Sequence, residues 1–255
     1  MKRNLLLLTV LVFTLASVQT TAQTVKKPFN GTDLTGWKTN GDWENVWKTG
    51  FLLADATTFE VRPIPANFQP RPANQQGPGQ GFARNFAPVL ANAVDVAWNK
   101  DPRKGVDLYT EEKFGDCTVK LEFLITKGSN SGVYLMGEYE VQIADSFAKA
   151  GRLGQGDMGA IYSAAAPSLN ACGVPGTWQS YEIEFVAPKF DANGNKTANA
   201  VFKKVILNGV VVQENVEVQG STGGGVTGKE AATGPLMLQG NHGPVAFRNI
   251  EIIVP

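Results

Sequence analysis

The sequence predicts an all-β protein built as a two-sheet antiparallel β-sandwich, and three observations predict it. After Gly115, short runs alternate apolar and polar residues, as strands with one buried face must. Turn residues separate those runs. No segment beyond the N-terminal apolar stretch sustains the repeat of an amphipathic helix.

Each element follows in chain order. Lys2 and Arg3, an apolar run over residues 5–16, and small residues ending at Ala22 form a secretory signal over residues 1–22. The run is shorter than the ~20 apolar residues a membrane span needs, and none of that length follows it, so an exported soluble chain is expected. Residues 23–255 then read as one domain. An insertion at about residues 60–100 is rich in Pro, Gly and Gln, and within it residues 62–85, rich in Asn as well and nearly free of periodicity, read as a long loop or insertion. Phe82 and Phe86 near its end are able to pack down as a flap.

Cys117–Ile125 alternates with Cys117, Val119, Leu121, Phe123 and Ile125 on one face. Residues 133–143 alternate again, reading as a single run with Tyr134, Glu138, Glu140 and Gln142 in one solvent-facing row. Residues 178–186 turn Tyr181, Ile183 and Phe185 inward and Glu182 and Glu184 outward. Residues 201–207 lead through Asn208-Gly209, a hairpin signal because both turn positions need positive φ, into Val210, Val211 and Val212. Residues 236–239 and 245–253 finish the chain, joined by a loop that holds His242. The pattern is that of a jelly roll.

Composition narrows the function. The chain has 255 residues, 23 basic and 23 acidic side chains, two Cys and one His. A balanced charge leaves no electrostatic footprint for nucleic acid. Two cysteines cannot build a disulfide scaffold or a four-Cys zinc site. Cys117 and Cys172 can pair in an oxidising compartment or remain two thiols. With one imidazole, any metal must rest largely on oxygen ligands.

The row of Glu138, Glu140 and Gln142 is the most informative local feature. Residues two apart on one strand face lie roughly 7 Å apart, close enough for two carboxylates to share a metal or flank a sugar. An ordinary solvated strand face would read the same way. His242 is suited to proton transfer or metal binding, and Arg248 to an oxyanion, although a surface histidine and a surface ion pair fit as well. Trp37, Trp43, Trp47, Trp98 and Trp178 are either sugar platforms or packing. There is no Gly-x-Ser-x-Gly elbow, phosphate-binding Gly-Lys-Ser/Thr loop or His-Glu-x-x-His pair, and Gly223-Gly224-Gly225 reads as a flexible loop.

Several ordered motifs carry a family resemblance. They include Phe29-Asn30-Gly31-Thr32-Asp33-Leu34-Thr35-Gly36-Trp37, Asn130-Ser131-Gly132-Val133-Tyr134-Leu135, Tyr139-Glu140-Val141-Gln142-Ile143 and Gly234-Pro235-Leu236-Met237-Leu238-Gln239. The chain resembles the bacterial 3-keto-disaccharide hydrolase domain family across nearly all of the mature sequence. The resemblance implies a concanavalin-like jelly roll with a sugar groove. It implies cleavage of glycosides already oxidised at C3 by a separate sugar 3-oxidoreductase, with help from one divalent metal ion. It also implies groove residues: Glu140, His242 and Arg248 in catalysis, Tyr134, Gln142 and Glu184 in substrate binding, and Glu140 with His242 as metal ligands. The alternative is a lectin-like carbohydrate-binding module on the same sandwich, and a conventional two-carboxylate glycosidase stands third.

Overall fold

The computed structural model describes residues 22–41, 45–62, 89–92 and 105–255. The proposed signal segment up to Thr21, most of the 60–100 insertion, Phe82, Phe86, Trp43 and Trp98 lie outside the described residues. Among those described, sixteen strands form and no helix does. No helix there is long and apolar enough to cross a membrane.

The first half supplies β1 (Thr24–Lys26), β2 (Trp37–Asn40), β3 (Trp47–Ala54), β4 (Phe59–Arg62), β5 (Val89–Asn92), β6 (Asp107–Phe114), β7 (Cys117–Ile125) and β8 (Asn130–Leu135). The second half supplies β9 (Tyr139–Ala144), β10 (Gln179–Val186), β11 (Lys189–Phe190), β12 (Lys196–Ala198), β13 (Ala200–Leu207), β14 (Val210–Val218), β15 (Gly234–Leu238) and β16 (Val245–Val254). One sheet of nine strands runs β14-β13-β10-β7-β16-β5-β3-β4, with β1 on β16. The other runs β2-β6-β15-β8-β9, and β11 and β12 form a small ribbon. The pairings in both large sheets are antiparallel, so the expected sandwich is present.

The alternating residues named above place the core between the sheets. Val119, Leu121, Phe123, Tyr181, Ile183, Phe202, Phe247, Val133, Val141 and Ile143 all sit in one buried cluster. Phe123 stacks on Tyr181 with ring centroids 4.9 Å apart, and Phe185 meets Phe202 edge-on at 5.1 Å. The Tyr181 hydroxyl then crosses the core to donate to the Gln142 carbonyl at 2.6 Å. That bond ties the large sheet to β9 from below. The Asn208-Gly209 turn has positive φ at both residues (52° and 80°), as a tight hairpin requires.

One expectation needs correction. Residues 133–143 are a hairpin: Met136 and Gly137 adopt positive φ, and Leu135 pairs with Tyr139 across the turn. The fold-back preserves alternation, so the run reads as one strand, yet it makes Tyr134 and Glu140 direct cross-strand neighbours. Within the 60–100 insertion β5 pairs with both β16 and β3, while the loop expected over 62–85 lies, apart from Arg62, outside the described residues.

The outer edge of β9 is closed. Gln142 N–H donates to Ala160 O at 2.9 Å, Gly159 N–H to Gln142 O at 3.0 Å, and Tyr162 N–H to Glu140 O at 3.1 Å. Asp157 anchors this covering segment by accepting from Lys149 Nζ and from Gly154 N–H. Cys117 and Cys172 are both free thiols.

Candidate functional site

The face of the five-stranded sheet turned away from the core carries the densest set of buried polar groups. Register places them in two rows. Asn40 pairs with Asp107, Leu238 pairs with both Leu108 and Val133, and Gly132 pairs with Gln142. Asn40, Asp107, Gln239, Gly132 and Gln142 therefore line up across the sheet. The adjacent row runs through Lys38, Tyr109, Met237, Tyr134 and Glu140, and the Val141–Ile161 bridge extends it to Tyr162.

Gly132 is the gap in this arrangement. A Cβ built there would lie 2.2 Å from Glu140 Oε1, so the Glu140 carboxyl leans across the strand into the space that a side chain would fill. The group is 2% exposed. Burial pushes its pKa up to about 7, opposed by a hydrogen bond from the Tyr134 hydroxyl and reinforced by the nearby charge of Asp107. The Tyr134 phenol is itself driven up by burial and by Glu140. Gln239 Nε2 donates to the same Tyr134 oxygen at 3.2 Å, giving a chain from Gln239 through Tyr134 to Glu140.

Asp107 is the second carboxyl of this face. Burial raises its pKa to about 6, partly offset by the Gly240 N–H that donates to Oδ1 at 3.0 Å. Sequence reading overlooked Asp107, Gln239 and Gly132, because only the strand register brings them to Glu140. A carboxylate inside the apolar alternation of Val106, Asp107 and Leu108 was the available signal.

The expected row is otherwise redistributed. Glu138 sits in the hairpin turn, not beside Glu140. Its Oε1 accepts from Thr227 N–H at 2.8 Å and from the Thr227 hydroxyl at 2.7 Å, and its Oε2 accepts from Gly228 N–H at 3.0 Å. Gly223-Gly224-Gly225 is accordingly docked: Thr222 donates its N–H to Glu138 O and accepts from Glu140 N–H at 2.9 Å, while Gly224 approaches the Tyr134 hydroxyl.

Arg248 and Glu184 belong to the opposite face of the molecule. Arg248 points out from β16, 2.5 Å from Glu122 Oε2 and 4.0 Å above the Trp178 ring, so it cannot act as an oxyanion clamp beside Glu140. Glu184 projects from β10 toward Lys204 at 3.8 Å and does not share the Glu140 face. Trp37 and Trp47 are core residues, whereas Tyr162, 39% exposed, is a solvent-facing aromatic beside Glu140. His242 is exposed on the β15–β16 loop, where its ring nitrogen contacts Asn241 Oδ1.

The buried polar side chains on the Glu140 face are two carboxyls, the Tyr134 phenol and the amides of Gln142 and Gln239. Among the described residues no three His, Cys, Asp or Glu side chains converge as a ligand set. Glu140 and His242 would supply a metal with at most two side-chain ligands, and no chemical step below passes through a metal.

A β-sandwich that buries carboxyls, a phenol and amides along one sheet face has the character of a carbohydrate-active protein. The chain belongs to the 3-keto-alpha-glucoside-1,2-lyase-like domain family, whose pattern matches residues 24–253. A crystal structure from Parabacteroides distasonis ATCC 8503, provisionally named a glycosyl hydrolase, is similar over 89% of this chain and 82% of its own, with 28% identity and a TM-score of 0.59. A second structure from that organism, named in the same way, aligns over 89% of this chain and 92% of its own at 17% identity and a TM-score of 0.52, and shares the fold. No curated protein matches.

Proposed function

We propose that this protein is an exported enzyme that cleaves 3-keto-glycosides at the Glu140 face, by elimination or by elimination followed by hydration. One observation carries the reading: a carboxyl buried over Gly132, held by the Tyr134 hydroxyl, with its pKa pushed up to about 7. A proton-transfer group works best when its pKa lies near the operating pH. Family membership and the similar sandwiches support the substrate class.

The chemistry asks for little beyond such a group. A ketone at C3 acidifies the C2 proton, and Glu140 takes it. The resulting enolate expels the glycosidic oxygen from C1, which leaves with the proton that Glu140 took up, and water adding across the C1–C2 double bond completes net hydrolysis. Tyr134 orients the Glu140 carboxyl, and Tyr162 offers a ring face at the margin of the site. The upstream reaction must be an oxidation of the sugar at C3, supplied by a separate oxidoreductase.

The test is incubation of the purified protein with a 3-keto-disaccharide and with its unoxidised parent, with and without chelator. Cleavage of the keto sugar alone is expected. Cleavage of the parent alone would instead mark a conventional glycosidase, and binding without cleavage of either a lectin-like module. Glu140→Gln should abolish turnover while the fold persists; unchanged activity would remove Glu140 from the mechanism.

A further inference from the structure

Four buried side-chain atoms among the described residues have no hydrogen-bond partner, and two of them are Gln142 Oε1 and Gln239 Oε1. Both residues lie in the row that crosses Gly132, and they are 3% and 7% exposed. Leaving a buried acceptor unpaired costs its lost hydration without a compensating bond, so two such oxygens on one face need a reason.

The orientation of Gln239 is set by its neighbours. Tyr134 has one hydroxyl proton, which goes to Glu140, so the phenol oxygen accepts from Gln239 and the NH2 end of that amide must face it. The carbonyl end is therefore the free one. Gln142 stands two strands away, with Gly132 between them, which sets the two backbones roughly 9–10 Å apart with both side chains rising from the same face. The Glu140 carboxyl lies in the middle. Two acceptors on either side of a carboxyl suit a neutral ligand with hydrogen-bond donors on opposite edges.

We propose that Gln239 and Gln142 are the hydroxyl-recognition pair of this site, their free amide oxygens accepting from hydroxyl groups on opposite sides of a pyranose ring seated over Glu140. Sugar hydroxyls donate well and carry no charge, as acceptors without a compensating cation require. The assignment rests on the carbohydrate reading above, in which Gln142 is already expected to bind substrate, and adds Gln239 and the atom that each amide uses. It also makes a buried cost in the free protein part of the recognition. A site built to pair with a substrate hydroxyl discriminates strongly against an analogue that lacks it.

The experiment measures KM for a 3-keto-disaccharide and for its 2-deoxy and 6-deoxy analogues, which lack hydroxyls on opposite sides of the ring and keep a C2 hydrogen, with wild type, Gln142→Leu and Gln239→Leu. Each variant should raise KM for the parent keto sugar by about tenfold, the scale of one lost hydrogen bond. Each should also match wild type on one of the two analogues, because the partner hydroxyl is already gone. Unchanged KM, or the same loss on all three substrates, would overturn the assignment. Gln142→Leu should melt no lower than wild type without sugar, since it removes an unpaired acceptor; a drop would show the amide to be structural and overturn its role. If wild type cleaves no keto sugar, the proposed activity fails separately. Calorimetry with the unoxidised disaccharide and its deoxy analogues then decides the amide assignment: a hydroxyl-specific loss in the variants sustains it, and absence of binding by wild type overturns it.

Discussion

Replacing Gly132 with Ala tests whether the empty position on β8 is what holds the proposed base in place. The added Cβ would lie 2.2 Å from Glu140 Oε1, 2.8 Å from Cδ and 2.9 Å from Cγ. Ordinary contact is about 3.5 Å or more, so the carboxyl must retreat by roughly 1 Å or the strands must separate. The φ of Gly132 is not among the positive values, so the backbone itself accepts alanine. The strain falls on Glu140 and its bond from Tyr134. Overpacking of this kind costs roughly 1–3 kcal/mol of stability. A misplacement of about 1 Å at a reacting group can cost on the order of 100-fold in rate. The assay is kcat on a 3-keto-disaccharide beside a thermal melt, and a folded Gly132→Ala protein with wild-type kcat would refute the argument.

Other outcomes follow from the same geometry. Glu140 has its folded pKa raised from 4.5 to about 7 and Asp107 from 3.8 to about 6, so the folded state holds more protons than the unfolded chain across those windows. Stability should fall as pH rises from about 4.5 to 7, with Glu140 contributing up to roughly 3 kcal/mol, and Glu140→Gln should remove that part in urea unfolding at pH 4.5 and 8. Glu138→Ala strips the acceptor from Thr227 and Gly228 and should cost roughly 2–4 kcal/mol in a thermal or urea melt. Arg248→Met should keep turnover on keto sugar while lowering stability by about 1–3 kcal/mol, because it unpairs Glu122 on the far face. Lost turnover in a folded Arg248→Met protein would contradict the placement of that residue.

The sandwich was readable where alternation and turn chemistry agree. Cys117–Ile125 has the bounds that its period-two pattern suggests, and Asn208-Gly209 turns as its positive-φ preference demands. Parity, however, reports only that a residue points away from the core. It cannot say which sheet does the pointing, so it could not check the grouping of Arg248 and Glu184 with Glu140 that the family resemblance implied, although they face the other way. Parity also survives a tight turn, so the hairpin at Met136 and Gly137 was hidden inside a run that alternates correctly. Asp107 and Gln239 reach Tyr134 and Glu140 through pairings between strands distant in the chain, and no local spacing encodes those. Gly132 matters for the side chain it lacks, which becomes visible only once a neighbour occupies the space.

The covered edge of β9 has a consequence for the protein among its neighbours in solution. A strand with free N–H and C=O groups is a template for pairing with another chain, and β9 would otherwise end its sheet. Residues 159–162 occupy those groups, so the strand that carries Glu140 is shielded from intermolecular strand addition. Their anchor, Asp157, therefore guards solubility as well as shape. Substitutions that loosen it should appear first as self-association through the β9 edge, before any loss of the core.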